Sequence, residues 1–401
     1  MATKKEKELK MSSAEDLFAE IDGIFEKNNI VEGMGYQSQP TGLDVLDFSL
    51  GKKTNNEYFI GLNPAHLVSI IGSTGVGKST LALQLASSLV RPYDKGKLID
   101  LDIERAHTIE RFKYLSGWSD EEIARKYSLK RDGLYTENIF ESIKKLCEIK
   151  NANKDKLKEK DYYGNDYLLP TAVVLDSISL MYPFNSLDEA EINKGHEDTL
   201  KAKINNAFAK KAVNMIGSSN VSIITVNHIH TKIQKGIVPE PAEIYGMKQE
   251  ETLPGGKGFP NMSDTLLRLD GKTKLKSSEL YGINGNVIRV TIIKSRNARS
   301  LQTFDLVFNP VYGFDNDLSN LHFLKENKLV EGGGNSYKIV GFPDFKFAFS
   351  NFKTKLNANP KLREELNEVM IGHLSQIIDG NYNNEVNEEL EVMAVEPVVE
   401  E

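Results

Sequence analysis

The chain has 401 residues, 40% hydrophobic and 27% charged, enough apolar material for a sizeable core in a water-facing protein. No apolar run reaches membrane-spanning length, and the lysine-rich start lacks the apolar stretch of a secretory signal. Net charge is −7, and the single cysteine, Cys147, excludes an internal disulfide or a cysteine metal cluster, which predicts a reducing, cytoplasmic setting.

The charge is unevenly spread. Beyond Gly380 stand Glu385, Glu388, Glu389, Glu391, Glu396, Glu400 and Glu401 with no Lys or Arg, so the excess acid lies in residues 381–401. Such a block reads as a disordered, solvated tail. At the other end, Lys4 to Lys10 is a charged lead-in. Ser12 and Glu15 then form a capping box for a helix running to about Lys27, with Leu17, Phe18, Ile21, Ile24 and Phe25 on one face. A polar stretch from Asn28 to Pro40 follows. A helix tethered this way either packs back on its own domain or docks on a neighbouring subunit, and residues 1–40 read as a separate unit.

From residue 41 to 320, apolar strand runs and helical spacings alternate. Strands are predicted at Leu67–Ile71, Lys97–Ile103, Ala172–Asp176, Val221–Val226, Asp264–Leu269, Val287–Ile293 and Thr303–Phe308. Helices are predicted at Thr80–Ala86, at Ser119–Tyr127 behind a second capping box (Ser119, Glu122), at Glu137–Ile149 and at Lys203–Met215. Lysine-rich Asn151–Asp166 reads as a solvated, loop-like insertion. The alternation predicts an α/β fold with a central, mostly parallel, doubly wound sheet. Leu321 to Ile378 reads as a small, mainly helical C-terminal region, bounded by residues 321–380, before the tail.

The strongest motif is Gly72-Ser73-Thr74-Gly75-Val76-Gly77-Lys78-Ser79, which fits the phosphate-binding P-loop and continues into Thr80. It lies between an apolar strand and a helix, the context the motif requires. The glycines let backbone N–H groups curl round phosphates at a helix N-terminus. Lys78 is then placed for the β- and γ-phosphates of a nucleoside triphosphate and the Ser79 hydroxyl for Mg²⁺.

Hydrolysis also needs a metal with an acid to hold it, a base for water and a γ-phosphate sensor, each at a strand end. Asp176 ends an apolar strand and suits the acid. Asp102 and Glu104, after the Lys97–Ile103 strand, are both candidates for polarising water, and spacing leaves the choice open. Asn227-His228 ends another strand where a polar side chain can sense phosphate. The stretch Thr231–Gly255 is long for a loop and carries Lys232, Lys235 and Lys248, so it reads as functional. Lys294 and Arg296, two apart in an extended segment, point to one face and are candidates either for gripping DNA or for reaching a neighbour's γ-phosphate.

Taken together, these residues resemble the RecA family of ATP-dependent strand-exchange proteins, with most likeness to the UvsX-type recombinases of tailed phages. The resemblance runs from about Thr41 to Asp317. It rests on Thr41-Gly42-Leu43-Asp44, the P-loop, Asp102-Ile103-Glu104, Leu175-Asp176-Ser177, Val226-Asn227-His228, Pro254-Gly255-Gly256 and Ile293-Lys294-Ser295-Arg296. It implies a RecA-like ATPase core using ATP and Mg²⁺, and Glu104 as the water-activating residue. It further implies His228 as phosphate sensor, and Lys294 and Arg296 as cations reaching the next subunit's ATP. DNA-binding loops are implied near Asn185–Leu200 and Thr231–Gly255, including Gly255 and Gly256; the first is acidic (Asp188, Glu189, Glu191), which weakens that assignment. The N-terminal helix is implied to oligomerise and the acidic tail to restrain DNA binding. The implied partners are single- and double-stranded DNA, further copies in a filament, and single-strand-binding and mediator proteins, without a membrane. The insertion at 151–166 and the C-terminal region depart from the bacterial pattern. Two rival readings share the core motifs: a hexameric replicative helicase, disfavoured because only about 40 residues precede the core, and a P-loop regulator or kinase with no nucleic-acid role.

Overall fold

The computed structural model describes residues 37–160, 166–184, 197–231, 242–276, 282–333 and 336–379. The N-terminal helix with Phe18 and Ile21, most of Asn185–Leu200, Lys232, Lys235 and the acidic tail lie outside these residues.

A short helix, Asp44–Ser49, opens the core. It leads into an exposed hairpin of Lys52–Thr54 (β1) and Glu57–Phe59 (β2), turned by Asn55 and Asn56 with φ of 52° and 64°. Asparagine tolerates that left-handed geometry, which makes the two-residue turn. Next come Leu67–Gly72 (β3), the helix Lys78–Val90, Lys97–Asp102 (β4), two helices at Ile109–Ser116 and Asp120–Lys126, and Tyr127–Lys130 (β5). The Ser119–Glu122 capping box forms as its spacing predicts: each side chain bonds the other residue's backbone N–H.

After the helix Thr136–Ala152, the insertion is not simply a loop. Lys158–Lys160 (β6) pairs with Asp166–Leu168 (β7) as a small hairpin, and buried Tyr167 stacks on Tyr93 at 4.7 Å. The lysines are solvated, but one strand face supplies an apolar anchor. Thr171–Asp176 (β8), the helix Glu197–Ile216 and Val221–His228 (β9) complete the parallel half. A two-residue ladder, His230–Thr231 (β10) with Glu251–Thr252 (β11), closes the long loop. Thr265–Leu275 (β12), Gly285–Ser295 (β13), Gln302–Asn309 (β14) and Gly313–Phe314 (β15) follow.

The main sheet has the order β15-β14-β13-β12-β3-β9-β8-β4-β5. From β12 to β5 all neighbours are parallel, while β12 to β15 pair antiparallel, so the sheet is mixed and mostly parallel. β3 and β8 are buried along their whole length, and β9 everywhere except His228, as strands covered on both faces must be. The parallel strands end at one edge: Gly72 is level with His228, and Asp176 with both Val226 and Asp102. That edge is where α/β sheets hold ligands.

In the C-terminal region, helices Asn316–Glu326, Phe352–Asn357 and Pro360–Asp379 enclose a small antiparallel sheet that the helical expectation did not include. Its strands are Val330–Gly333 (β16), Ser336–Ile339 (β17) and Phe342–Phe347 (β18). Tyr337, Phe347, Phe349 and Phe352 pack edge-on at its centre, with Phe349 4.4 Å from Tyr337 and Phe352 5.0 Å from Phe347.

Candidate nucleotide site

The P-loop turns from β3 into the helix Lys78–Val90, whose buried Leu81, Ala82, Leu85, Ala86 and Leu89 fix it against the sheet. Gly77 caps that helix with φ of +86°, and a Cβ there would meet the rings of Phe308 and Phe314 at 3.0–3.1 Å. Both conformation and space therefore demand glycine. Ser73, Thr74 and Gly75 form the exposed rim, and Val76 is buried. The Lys78 side chain folds back so that Nζ donates to Ser73 O at 2.7 Å and lies 3.4 Å from His228 Nδ1. Burial pulls its pKa down to about 8, against the opposing pull of Asp176 and Glu104. A buried ammonium in the first turn of a helix that has no side-chain N-cap bond suits a multiply charged anion. Ser79 is half-buried in the first helical turn. Buried Thr80 accepts a bond from Arg111 Nη2 at 2.9 Å.

Asp176 lies on the neighbouring strand end but one, and its peptide bond to Ser177 is cis. Its Oδ2 meets His107 Nε2 at 3.0 Å, while Oδ1 is buried with no hydrogen-bond partner among the described residues. Leaving a carboxylate oxygen bare inside protein is costly. An orphan carboxylate oxygen and the Ser79 hydroxyl are the hard oxygen donors that Mg²⁺ or its bound water takes, so the residues present fit the ion.

The two strand-end acids that spacing could not separate have different surroundings. Asp102 is fully buried and occupied by the N–H groups of Ala106 (2.9 Å) and His107 (3.1 Å) and by Arg131 Nε (2.9 Å). Burial raises its pKa, but these bonds outweigh it and hold the carboxyl below its ordinary value. Glu104 keeps a quarter of its side chain exposed (25%), accepts a bond from Ser177 Oγ at 2.6 Å and pairs with His228 Nε2 at 2.9 Å. The His228 bond leads in holding Glu104 at about 2, with burial opposing. Glu104 is thus an anionic, water-facing group; Asp102 is a buried tie.

His107, Tyr127, Arg131 and Arg111 were not legible as site residues. His107 bridges two carboxylates, with Nδ1 2.8 Å from Asp100 Oδ2 and Nε2 at Asp176. Tyr127 donates to the same Asp100 oxygen at 2.6 Å, and Arg131 also donates to His107 O. Burial alone would lower the imidazole pKa, but the two carboxylates push it up to about 10, so both ring nitrogens donate. The one signal in the sequence is a histidine shortly after two strand acids, Asp100 and Asp102.

The site edge is tied to the base of the long loop. Asn227 Nδ2 donates to Pro254 O at 3.0 Å. Asn205 Nδ2 donates to Gly255 O at 3.1 Å. Gly255 and Gly256 have φ of +84° and +89°, and a Cβ on Gly256 would lie 2.8 Å from that of Ala202. The pair therefore closes the loop tightly on the helix Glu197–Ile216. Arg268 clamps Glu251 through Nη1 (2.6 Å) and Nη2 (2.8 Å), fixing the other side of the stem. Lys248 is exposed on the returning arm.

The P-loop, Asp176, Glu104 and His228 come together, but Lys294 and Arg296 do not join them. Ser295 pairs with Thr265, which is level with Val68, whereas Leu269 is level with Gly72. Four residues of strand, about 13 Å, separate the two levels. Lys294 Nζ donates to Asn261 O at 2.8 Å, and Arg296 Nε lies 2.6 Å from Asp264 Oδ1 with its side chain 60% exposed.

Fold and site together define an α/β protein with a P-loop at the C-terminal edge of a mostly parallel sheet. Among known proteins the chain is similar to Protein RecA of Borrelia duttonii (strain Ly), 23% identical over 334 residues spanning 80% of this chain and 77% of that one. It is 22% identical to Protein RecA of Borrelia turicatae (strain 91E135), with the same coverage. These similarities support a distant relationship to RecA proteins. Among solved structures, the crystal structure of the RadB recombinase is similar with a TM-score of 0.41 and 18% identity, covering 64% of this chain and 92% of that one. No family model matches the chain.

Proposed function

We propose that this chain is an ATP-dependent DNA recombinase that assembles on single-stranded DNA and pairs it with a homologous duplex, related in type to phage recombinases. One observation carries the reading: Glu104, the water-facing carboxylate, is linked by two short routes to Pro254–Gly256, where the long loop closes. One route runs through His228 and Asn227 to Pro254 O. The other runs through Ser177 to Ile178, whose carbonyl lies against Gly255. Similarity to RecA proteins supplies the substrate class.

In this reading the P-loop amides and Lys78 hold the triphosphate. Ser79 and Asp176 would hold Mg²⁺, which would supply neutralisation of phosphate charge. Glu104 orients water, and His228, between Lys78 and Glu104, senses the γ-phosphate and moves the stem of the 231–255 loop. Lys248, with Lys232, Lys235 and the Gly255–Gly256 backbone, then grips DNA phosphates, leaving base edges free to pair. Lys294 and Arg296 lie at the opposite level of the sheet from their own P-loop. A head-to-tail stack would bring them to the next molecule's ATP, and such heterologous contacts generate filaments or rings. Residues 1–40 are assigned to subunit docking, 41–320 to the ATPase core, 321–380 to a C-terminal region and 381–401 to restraint of duplex binding.

The test is ATPase turnover with and without single-stranded DNA, paired with electron microscopy of protein, ATP analogue and DNA. DNA-stimulated turnover with open helical filaments is expected. Closed rings favour a helicase, and turnover indifferent to DNA overturns the nucleic-acid role.

A further inference from the structure

The His107 bridge has no role in the reading above, and its geometry is unusually constrained. The ring is 2% exposed, lies in the turn after β4, and touches acids from two strands. Both carboxylates are buried, and each keeps Oδ1 without a partner among the described residues. Asp100 is pinned by Tyr127, and the His107 backbone is held from both ends: its N–H by Asp102 and its carbonyl by Arg131. The imidazole therefore cannot swing, and through Nε2 it fixes which oxygen of Asp176 is consumed and which is left bare.

We propose that His107 is a positioning residue of the nucleotide site: a buried strut, anchored on Asp100, that holds the Asp176 carboxylate so that Oδ1 alone is presented to Mg²⁺ or its bound water. This rests on the reading of Asp176 as the magnesium-side acid. Partners behind a metal ligand fix its orientation, and losing one typically lowers metal affinity by about 10- to 100-fold. Without the ring, Asp176 and Asp100 would face one another as uncompensated buried charges, and Asp176 would be free to rotate its bonded oxygen toward the site.

The experiment is calorimetric titration of the full chain with a non-hydrolysable ATP analogue across a Mg²⁺ series and in EDTA. His107→Gln keeps one donor but cannot bridge both acids. It is expected to weaken Mg²⁺-dependent binding about tenfold or more, while affinity in EDTA changes less than about twofold. Asp100→Asn, which leaves the ring in place but removes its charged anchor, should shift the Mg²⁺ midpoint in the same direction by about threefold. Should His107→Gln fail to fold, Asp100→Asn decides alone. An unchanged Mg²⁺ dependence in a folded variant, or equal losses with Mg²⁺ and in EDTA, overturns the proposal. Asp176→Asn separates the two layers. If it leaves the Mg²⁺ dependence intact, the underlying assignment of Asp176 is wrong; if it abolishes that dependence while the other variants do not, only the strut is wrong.

Discussion

Asp176 and Asp305 are both strand carboxylates drawn out of solvent, and their surroundings answer the charge in opposite ways. In the antiparallel wing, Asp305 is met by Arg289 Nε at 3.0 Å, Lys272 Nζ at 2.6 Å and His322 Nε2 at 3.6 Å. At the working edge, among the described residues, only His107 hydrogen-bonds the Asp176 side chain, and one buried oxygen stays bare. A buried charge is tolerated when paired and expensive when half-paired. The first arrangement therefore stabilises the fold, whereas the second retains an unsatisfied acceptor that a bound group can use. Metal-ligand spacing does not make that distinction: Asp305, His322 and Glu326 offer ligand atoms within 4.8 Å of one another, yet the cations around Asp305 already answer its charge.

The largest effect is expected of Lys78→Ala. Removing the buried ammonium from the working edge should abolish ATP binding in calorimetry. Tight binding by this variant would mean that the P-loop does not hold the phosphates. Next in size is Glu104→Gln. It keeps the shape and the Ser177 contact but removes the anion, and turnover should fall roughly 10²-fold or more while ATP-dependent DNA binding persists. A near-normal steady-state rate would exclude Glu104 as the water-side group, and Asp102, fully engaged by Ala106, His107 and Arg131, could not replace it without breaking those bonds.

What could be read in advance follows from how far each group's partners lie along the chain. The P-loop is legible because backbone wrapping forces Gly72, Gly75 and Gly77 into fixed spacing next to Lys78. Asp176 and His228 are legible because apolar runs of known period end on them. Glu104 needed the family resemblance, since spacing leaves it level with Asp102; the structure separates them by burial and bonding. His107 was missed because its partners stand 7 and 69 residues away, a relation set only when β4 and β8 pair. The hairpin of β6 and β7 was hidden by lysines that face water while buried Tyr167 and Leu168 anchor it. The strands β16 to β18 escaped because helical segments on either side dominate the pattern, although Phe345 and Phe347 alternate as strand residues do.

Asp305→Ala tests the paired carboxylate of the antiparallel wing. Losing charged hydrogen bonds to Arg289 and Lys272 should cost about 2 kcal/mol of stability in a urea titration. Because β14, which carries Asp305, stands three strands across the sheet from β3, ATP affinity should stay within about twofold. A large loss of affinity with little loss of stability would reverse the roles assigned to the two clusters.

The smallest effect, and the most specific, is in pH. Burial alone would raise the Asp305 pKa, but bonds from His322, Arg289 and Lys272 outweigh it and hold the group well below its ordinary value of 3.8. An acid depressed on folding contributes stability that is present above its unfolded pKa and is lost as pH falls toward the folded one. Asp305→Asn removes that contribution at every pH. The difference in unfolding midpoint between wild type and Asp305→Asn should therefore be constant from pH 7 to about 5 and shrink below about 4. A difference that instead grows on acidification would mean that Asp305 takes up its proton on folding, and that the bonds from Arg289, Lys272 and His322 do not govern it.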